Sequence, residues 1–444
     1  MKQTTDSGLV RGIRRWDLVA VAINGIIGAG IFGLPSQVFK QTGAYSIIAF
    51  ATCALVVTLI ILCFAEVGSR YSETGGPYLY AREAFGPVIG FEVGWLMWIA
   101  RLTAFAANCN LMVSYVGFFW PSASDPFWRA VIIITVVLLL TTINIIGVRD
   151  AAIVSNVFTI GKLLPIMLFV GVGIFFISPE RFAFNALSSY GNFYDAFSGS
   201  VLILIYAFTG FEMAVIPAGE VRDPQRNLPR ALLIATGVVT LLYILIQAVS
   251  IGTLPGLADS ERPIADASFT FMGTAGASII TAGVLVSITG NLIVLILAGS
   301  RLPFAMAERG ELPQIISATH NRFHTPHIAI IITSAVMLAL TLSGTFIYAV
   351  TISTIARLLA YTATCAALPI LRRRANAPQA MFKIPFGTIV ALISLALAGW
   401  LLSKCTFTQA RDSLIAIAIG LLIYGAYYLA RRSRRDKPYS EQRD

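Results

Sequence analysis

Charge is scarce in this chain. Only 12% of its 444 residues are Asp, Glu, Lys or Arg, against 57% hydrophobic, roughly half the charged share of a soluble protein. A soluble chain of this length would divide into two or three domains joined by polar linkers, and no such linker occurs. The apolar runs lack period-two alternation, which argues against a membrane barrel. Histidine is reduced to His320, His324 and His327, grouped around Pro326 with no acidic or cysteine partner close in sequence; no metal site is expected there. The five cysteines (Cys53, Cys63, Cys109, Cys365, Cys405) lack metal-ligand spacing and read as small apolar residues, not as disulfide partners. The GxxxxGKS/T, HExxH and GxSxG patterns are missing, which excludes a P-loop motor and offers no support for a hydrolase. A TVGYG-like filter is missing as well, which disfavours a channel. No cofactor is expected.

What the chain has instead is apolar runs of about 20 residues from end to end, each able to cross ~30 Å of hydrocarbon as a helix. The fold class read from this is an all-α membrane protein of about twelve transmembrane helices. The spans are expected at 17–40, 43–68, 88–119, 126–147, 152–177, 196–218, 230–253, 275–305, 327–343, 346–371, 384–403 and 411–430. The first run is too long for a signal-peptide core and is not followed by a small-residue cleavage site, so it reads as a true first span. Counting Lys and Arg places about 23 of the 32 on one side, including Arg222, Arg226, Arg230, Arg372, Arg373, Arg374 and the tail from Arg431 to Arg435. By the positive-inside bias that side is the cytoplasm, and both termini are expected there. The net charge of +10 is explained by this bias. It suits anionic lipid and calls for no nucleic-acid partner.

Two spans are interrupted. Span 1 contains Asn24-Gly25-Ile26-Ile27-Gly28-Ala29-Gly30-Ile31-Phe32-Gly33-Leu34-Pro35. Glycine costs up to ~1 kcal/mol against alanine in a helix interior, and a broken helix survives in lipid only where it is packed in protein or lines a cavity. The amides near Ala29 and Gly30 would open a second half-helix, a favourable place for a carboxylate. Close helix packing through small residues is the competing explanation. Span 6 carries Tyr206-Ala207-Phe208-Thr209-Gly210-Phe211-Glu212, a glycine between aromatics followed by an intramembrane carboxylate. Carbonyls around Tyr206 and Thr209 would suit an ammonium group. Spans 1 and 6 fall at equivalent places if spans 1–5 and 6–10 are inverted repeats with spans 11 and 12 appended. Paired interruptions of this kind point to a transporter's binding site.

These segments resemble the amino acid–polyamine–organocation (APC) superfamily. The matching elements are Gly28-Ala29-Gly30-Ile31-Phe32, then Glu66 with the loop Gly75-Gly76-Pro77-Tyr78, then Phe208 to Glu212. The stretch from Glu220 to Arg230 and that from Ser300-Arg301 through Arg309-Gly310-Glu311-Leu312-Pro313 follow in family order. The resemblance covers nearly the whole chain and implies the five-plus-five inverted-repeat (LeuT-type) fold. The organisation expected is a tail at 1–16, repeat one at 17–177, repeat two at 178–371, two further spans at 372–431 and a tail at 432–444. It further implies that the backbone at Ile27, Gly28, Ala29 and Gly30 holds a substrate carboxylate. Carbonyls near Tyr206, Ala207 and Thr209 would hold its amino group, with Tyr206 or Phe208 as an aromatic gate.

Charged residues inside the spans are functional candidates because insertion costs a few kcal/mol each. Lys162 lies about eleven residues into span 5, roughly 17 Å deep at 1.5 Å per residue. Burial disfavours an ammonium charge, and the resemblance places a lysine here in some proton-coupled members. A structural ammonium bonded to the carbonyls of broken span 1 is the alternative, and the two roles are compatible. Trp98, Arg101, Phe105 and Asn108 share one face of span 3, which by resemblance looks towards the substrate. Arg101 is then either an anchor for an acceptor on the substrate or an ion-pair partner of Glu212 or Glu92. Glu66 and Glu92 are expected near cytoplasmic ends, facing water. Arg357 lies deep in span 10 with no partner evident; Ser287, Asn291 and Tyr361 are polar candidates for the cavity wall.

The function expected is therefore alternating-access transport of an amino acid, neutral or acidic, across the inner membrane, with a proton as coupling partner at Lys162 and Glu212 in a gating role. Uncoupled exchange is the alternative.

Overall fold

The computed structural model describes residues 14–71, 76–147, 151–184, 192–215, 221 and 223–435, with side chains described except at 151–160, 224–225 and 430–435. The tails expected at 1–16 and 432–444, and parts of the loops after spans 2 and 6, fall largely outside these residues. Fifteen helices follow in order among the described residues. They are α1 (Arg15–Ile26), α2 (Ala29–Thr42), α3 (Ser46–Gly68), α4 (Gly76–Phe85), α5 (Pro87–Val116), α6 (Pro126–Ile146), α7 (Ala151–Gly173) and α8 (Phe193–Phe208). Then come α9 (Glu212–Val215), α10 (Pro224–Thr253), α11 (Pro263–Glu308), α12 (His327–Ser343), α13 (Phe346–Arg373), α14 (Gly387–Leu402) and α15 (Phe407–Arg435).

Local chemistry sets several of these boundaries. Proline occupies the first turn of α5, α6, α10 and α11, where its missing N–H has no intrahelical acceptor to lose. Gly86 and Gly147, both at positive φ, stand at the start of α5 and the end of α6. Among the described residues, eight helical stretches are long and apolar enough to cross a membrane, and Gly161–Phe176, His327–Ser343 and Gly387–Leu402 are shorter apolar helices. Two elements were not foreseen. The segment after Gly75 forms a helix, α4, and α11 begins at Pro263, twelve residues before the expected span, with a bend at Gly273 (φ 63°).

Burial orders the bundle from inside to outside. The apolar stretch of α8 is 89% buried and that of α5 83%, against 22% for α6 and 11% for α15. The central helices are thus α5 and α8, while α6 and α15 show Leu138, Leu139, Leu414 and Leu422 outward. Such an apolar exterior suits lipid and would be anomalous in water. Around the centre, α5 packs on α11, α12 and α13, α7 on α11, and α10 on both α1 and α3. The half-helices meet crosswise, α2 against α8 and α1 against α9.

Candidate functional site

Both expected interruptions are present. Between α1 and α2 the chain is extended at Ile27 (φ −70°, ψ 101°) and Gly28 (φ −131°, ψ −160°). Gly28 caps α2 with no side chain to satisfy its first amides, which a helix start leaves without intrahelical acceptors. Between α8 and α9 the break runs through Thr209 (ψ 164°), Gly210 (φ 105°) and Phe211. The two breaks touch backbone to backbone. A Cβ on Gly25 would lie 2.6 Å from the Gly210 carbonyl oxygen, and one on Gly210 would lie 2.1 Å from that of Gly25. Only glycine permits this approach on both sides.

A cavity of about 300 Å³ lies along these breaks. Gly28, Ala29, Gly30, Tyr206, Thr209 and Lys162 line it, as do Asn24, Asn108, Ser287, Asn291 and Arg357. Lys162 is buried and its Nζ donates to the Asn24 carbonyl at 2.9 Å, in the last turn of α1. On the opposite wall Asn108 donates to the Tyr206 hydroxyl at 2.9 Å, and Asn291 donates to Asn108 at 3.3 Å. This polar chain joins α5, α8 and α11 across the cavity.

Other site residues from the sequence lie just behind the wall. Ile27, Ala207, Phe208 and Phe105 are buried; Phe208 packs edge-on against Tyr243, with ring centroids 5.2 Å apart. Trp98 Nε1 donates to Thr333 Oγ1 at 3.3 Å. The carbonyls at span 6 have partners within the chain. Tyr206 accepts from the Thr209 hydroxyl at 2.8 Å, and Ala207 accepts from the Tyr243 hydroxyl at 3.1 Å.

The buried charges sort differently from expectation. Glu212 pairs with Arg357, whose Nη1 stands 2.5 Å from Oε1. Its Oε2 accepts from the Tyr361 hydroxyl at 2.8 Å and from the Gly210 amide at 2.9 Å. Arg101 is therefore not the partner of Glu212: its Nε and Nη1 are buried with no hydrogen-bond partner among the described residues. Glu92 is no partner either, both its oxygens being buried and unbonded. Glu66 does not face water; it is fully buried and held by Arg372. His320 Nδ1 accepts from the Arg322 and Phe323 amides, which gives that residue a loop-forming role.

Tyr243 was not anticipated. Its hydroxyl also lies 3.2 Å from the Ile26 carbonyl, so its single proton is shared between the last turns of α1 and α8. The available signal was the one phenol in this span, where an unbonded hydroxyl would be costly.

The family model described as amino acid permease matches residues 13–427. A serine/threonine exchanger of Bacillus subtilis is 30% identical, the alignment covering 96% of this chain and 98% of that protein. A methylthioribose transporter of Bacillus subtilis is 28% identical over 96% and 95% of the two chains. A branched-chain amino acid permease of the same organism is 24% identical over 95% and 94%. With the family model spanning all but the ends of the sequence, the chain belongs to the amino acid permease family, a family of multi-pass membrane transporters within the APC superfamily.

Proposed function

We propose that the protein is a secondary transporter of an amino acid, neutral or acidic, that works by alternating access and is driven by protons. The observation that carries this is the contact of two broken helices at Gly25 and Gly210, with the 300 Å³ cavity beside it. The free first amides of α2 offer a carboxylate site at Gly28, Ala29 and Gly30. Thr209 and the far end of the Tyr206–Asn108–Asn291 chain offer polar groups for the rest of the solute. Lys162 and Arg357 line the cavity and Arg101 lies unpaired behind it, with Glu212 as the one carboxylate paired among them. That surplus of positive charge disfavours cationic solutes.

Twelve spans, ten of them in two inverted repeats (17–177 and 178–371) and two appended, account for the packing. Exchanging each span with its counterpart five places on converts the α5–α13 contact into α11–α7, α1–α10 into α8–α3, and α2–α8 into α9–α1. All six contacts occur. Both termini then lie in the cytoplasm of an inner membrane. Lys162 is the proton-carrying residue: it sits in the cavity wall, and its bond to the Asn24 carbonyl ties its charge state to the span 1 break.

Uncoupled exchange is a second reading, favoured by the exchanger among the relatives and by the same Lys162 bond, which would serve as a fixed ammonium brace. Uptake by proteoliposomes against a panel of amino acids, with and without an imposed pH gradient, separates the two. Accumulation that follows the gradient supports proton coupling. Uptake that needs only an internal counter-solute supports exchange, and no saturable uptake of any member of the panel overturns both.

A further inference from the structure

A second cavity, of about 550 Å³, opens where the C-terminal ends of α3 and α13 meet the segment leading into α14. Its walls carry Arg70, Arg372, Arg373, Arg374 and Lys383 against one carboxylate, Glu66. Glu66 is already satisfied. Arg372 donates to its two oxygens at 2.6 Å each, and the Ile384 amide donates at 2.8 Å. Arg70 adds a longer contact to the same carboxylate, Nη2 to Oε1 at 3.7 Å; with both arginines set aside, Arg373, Arg374 and Lys383 remain without a carboxylate partner among the described residues. Arg70 is 8% exposed and anchored by the Pro378 carbonyl at 2.8 Å, while its Nε is buried with no hydrogen-bond partner. Arg373 and Lys383 are exposed and enter no ion pair among the described residues.

One flank of this basic pocket is apolar. Met381 is 55% exposed and Phe386 77%. Phe386 has φ 55°, rare for a bulky side chain, and its carbonyl accepts the Ile389 amide at the start of α14. From there Ile389, Leu392 and Ile393 continue outward along α14. Cations at a helix end, next to an apolar face running along the bundle, match a molecule with an anionic head and hydrocarbon tails. Basic pockets between helices at the membrane surface attract acidic headgroups on this principle.

We propose that this pocket binds the phosphodiester headgroup of an anionic phospholipid, with the acyl chains laid along the exposed face of α14. A phosphate group is the shared chemistry of a lipid head and free inorganic phosphate, but only the lipid uses the apolar flank. The site is separate from the transport cavity and independent of which solute is carried.

The test uses the full chain, purified in detergent and stripped of lipid, with phosphatidylglycerol, phosphatidylcholine and inorganic phosphate as probes. Retained lipid is counted by native mass spectrometry and thermal stability is followed in parallel. The expected result is retention of phosphatidylglycerol with a rise in Tm, little retention of phosphatidylcholine, and no displacement by millimolar phosphate. The double variant R373Q/K383Q should retain at least fivefold less phosphatidylglycerol, with the Tm of the lipid-free protein unchanged. Should that variant fold poorly, K383Q alone is read in the same way, with at least a twofold loss. Equal retention by parent and variant, or equal retention of the two lipids, overturns the proposal. Displacement by inorganic phosphate at matched concentration assigns the pocket to free phosphate and overturns the lipid assignment.

Discussion

Glu212 and Arg357 form a buried ion pair, 2.5 Å from Oε1 to Nη1, that joins the break in span 6 to the middle of α13. The same carboxylate accepts the Gly210 amide, so one side chain caps the broken helix and neutralises a cavity-lining arginine. Removing one partner strands a buried charge, at a cost of about 3–5 kcal/mol. Arg357→Ala and Glu212→Ala should each lower the Tm sharply. The double variant R357M/E212M, which leaves no orphan charge, should recover much of the loss. Thermal unfolding of the three variants checks this; additive losses would show that the pair is not coupled.

Glycine substitutions should separate binding from folding. A side chain at either Gly28 or Gly30 is expected from the sequence to obstruct the α2 amides while leaving the protein able to insert. At Gly28 a Cβ would lie 2.7 Å from the Asn291 side-chain nitrogen, which can swing aside, with its next neighbours at 3.9 Å. At Gly30 it would lie 2.7 Å from the Ala207 Cα, so the α2–α8 contact itself must open. Gly30→Val should therefore lose folded protein, and Gly28→Val should keep it but lose solute binding. Size-exclusion profiles and binding measured on the same preparations distinguish the two.

Arg101 carries an unpaired buried charge, and a desolvated ion without a partner costs several kcal/mol. Arg101→Met should hold or raise the Tm, because no carboxylate is orphaned. It should also weaken uptake of neutral or acidic amino acids and admit arginine or lysine. At an effective dielectric of 20, two cations 4 Å apart repel by about 4 kcal/mol. Strong uptake of cationic amino acids by the parent protein would contradict this account of Arg101.

Lys162→Met removes the bond to the Asn24 carbonyl, worth about 1.5–3 kcal/mol for a charged donor. If Lys162 carries the coupled proton, pH-driven accumulation should disappear while counterflow of preloaded solute persists. Equal loss of both activities would leave Lys162 with a bracing role alone.

The helical membrane fold and both interruptions were legible in the sequence because each leaves a local signal: apolar runs too long for strands, and glycines where a helix should not have them. Partnerships were not legible. Arg357 and Glu212 are 145 residues apart, and nothing local says that Arg357, and not Arg101, turns towards Glu212. Tyr243 was overlooked for the same reason, since its two acceptors lie on helices distant in sequence. Glu66 was misplaced because a carboxylate near a helix end normally reaches water; here the chain after Arg373 folds back over it, and Ile384 donates its amide. The helix α4 was missed because Gly76 and Pro77 read as a turn, although proline is well tolerated in a helix's first turn.

The most direct test of the transport site is counterflow of a radiolabelled neutral or acidic amino acid into proteoliposomes, comparing the parent protein with Gly28→Val at equal amounts of monodisperse protein. The predicted result is saturable uptake by the parent, at least tenfold reduced in the variant. Undiminished, saturable uptake by a correctly folded Gly28→Val protein would contradict a solute site at the broken helices.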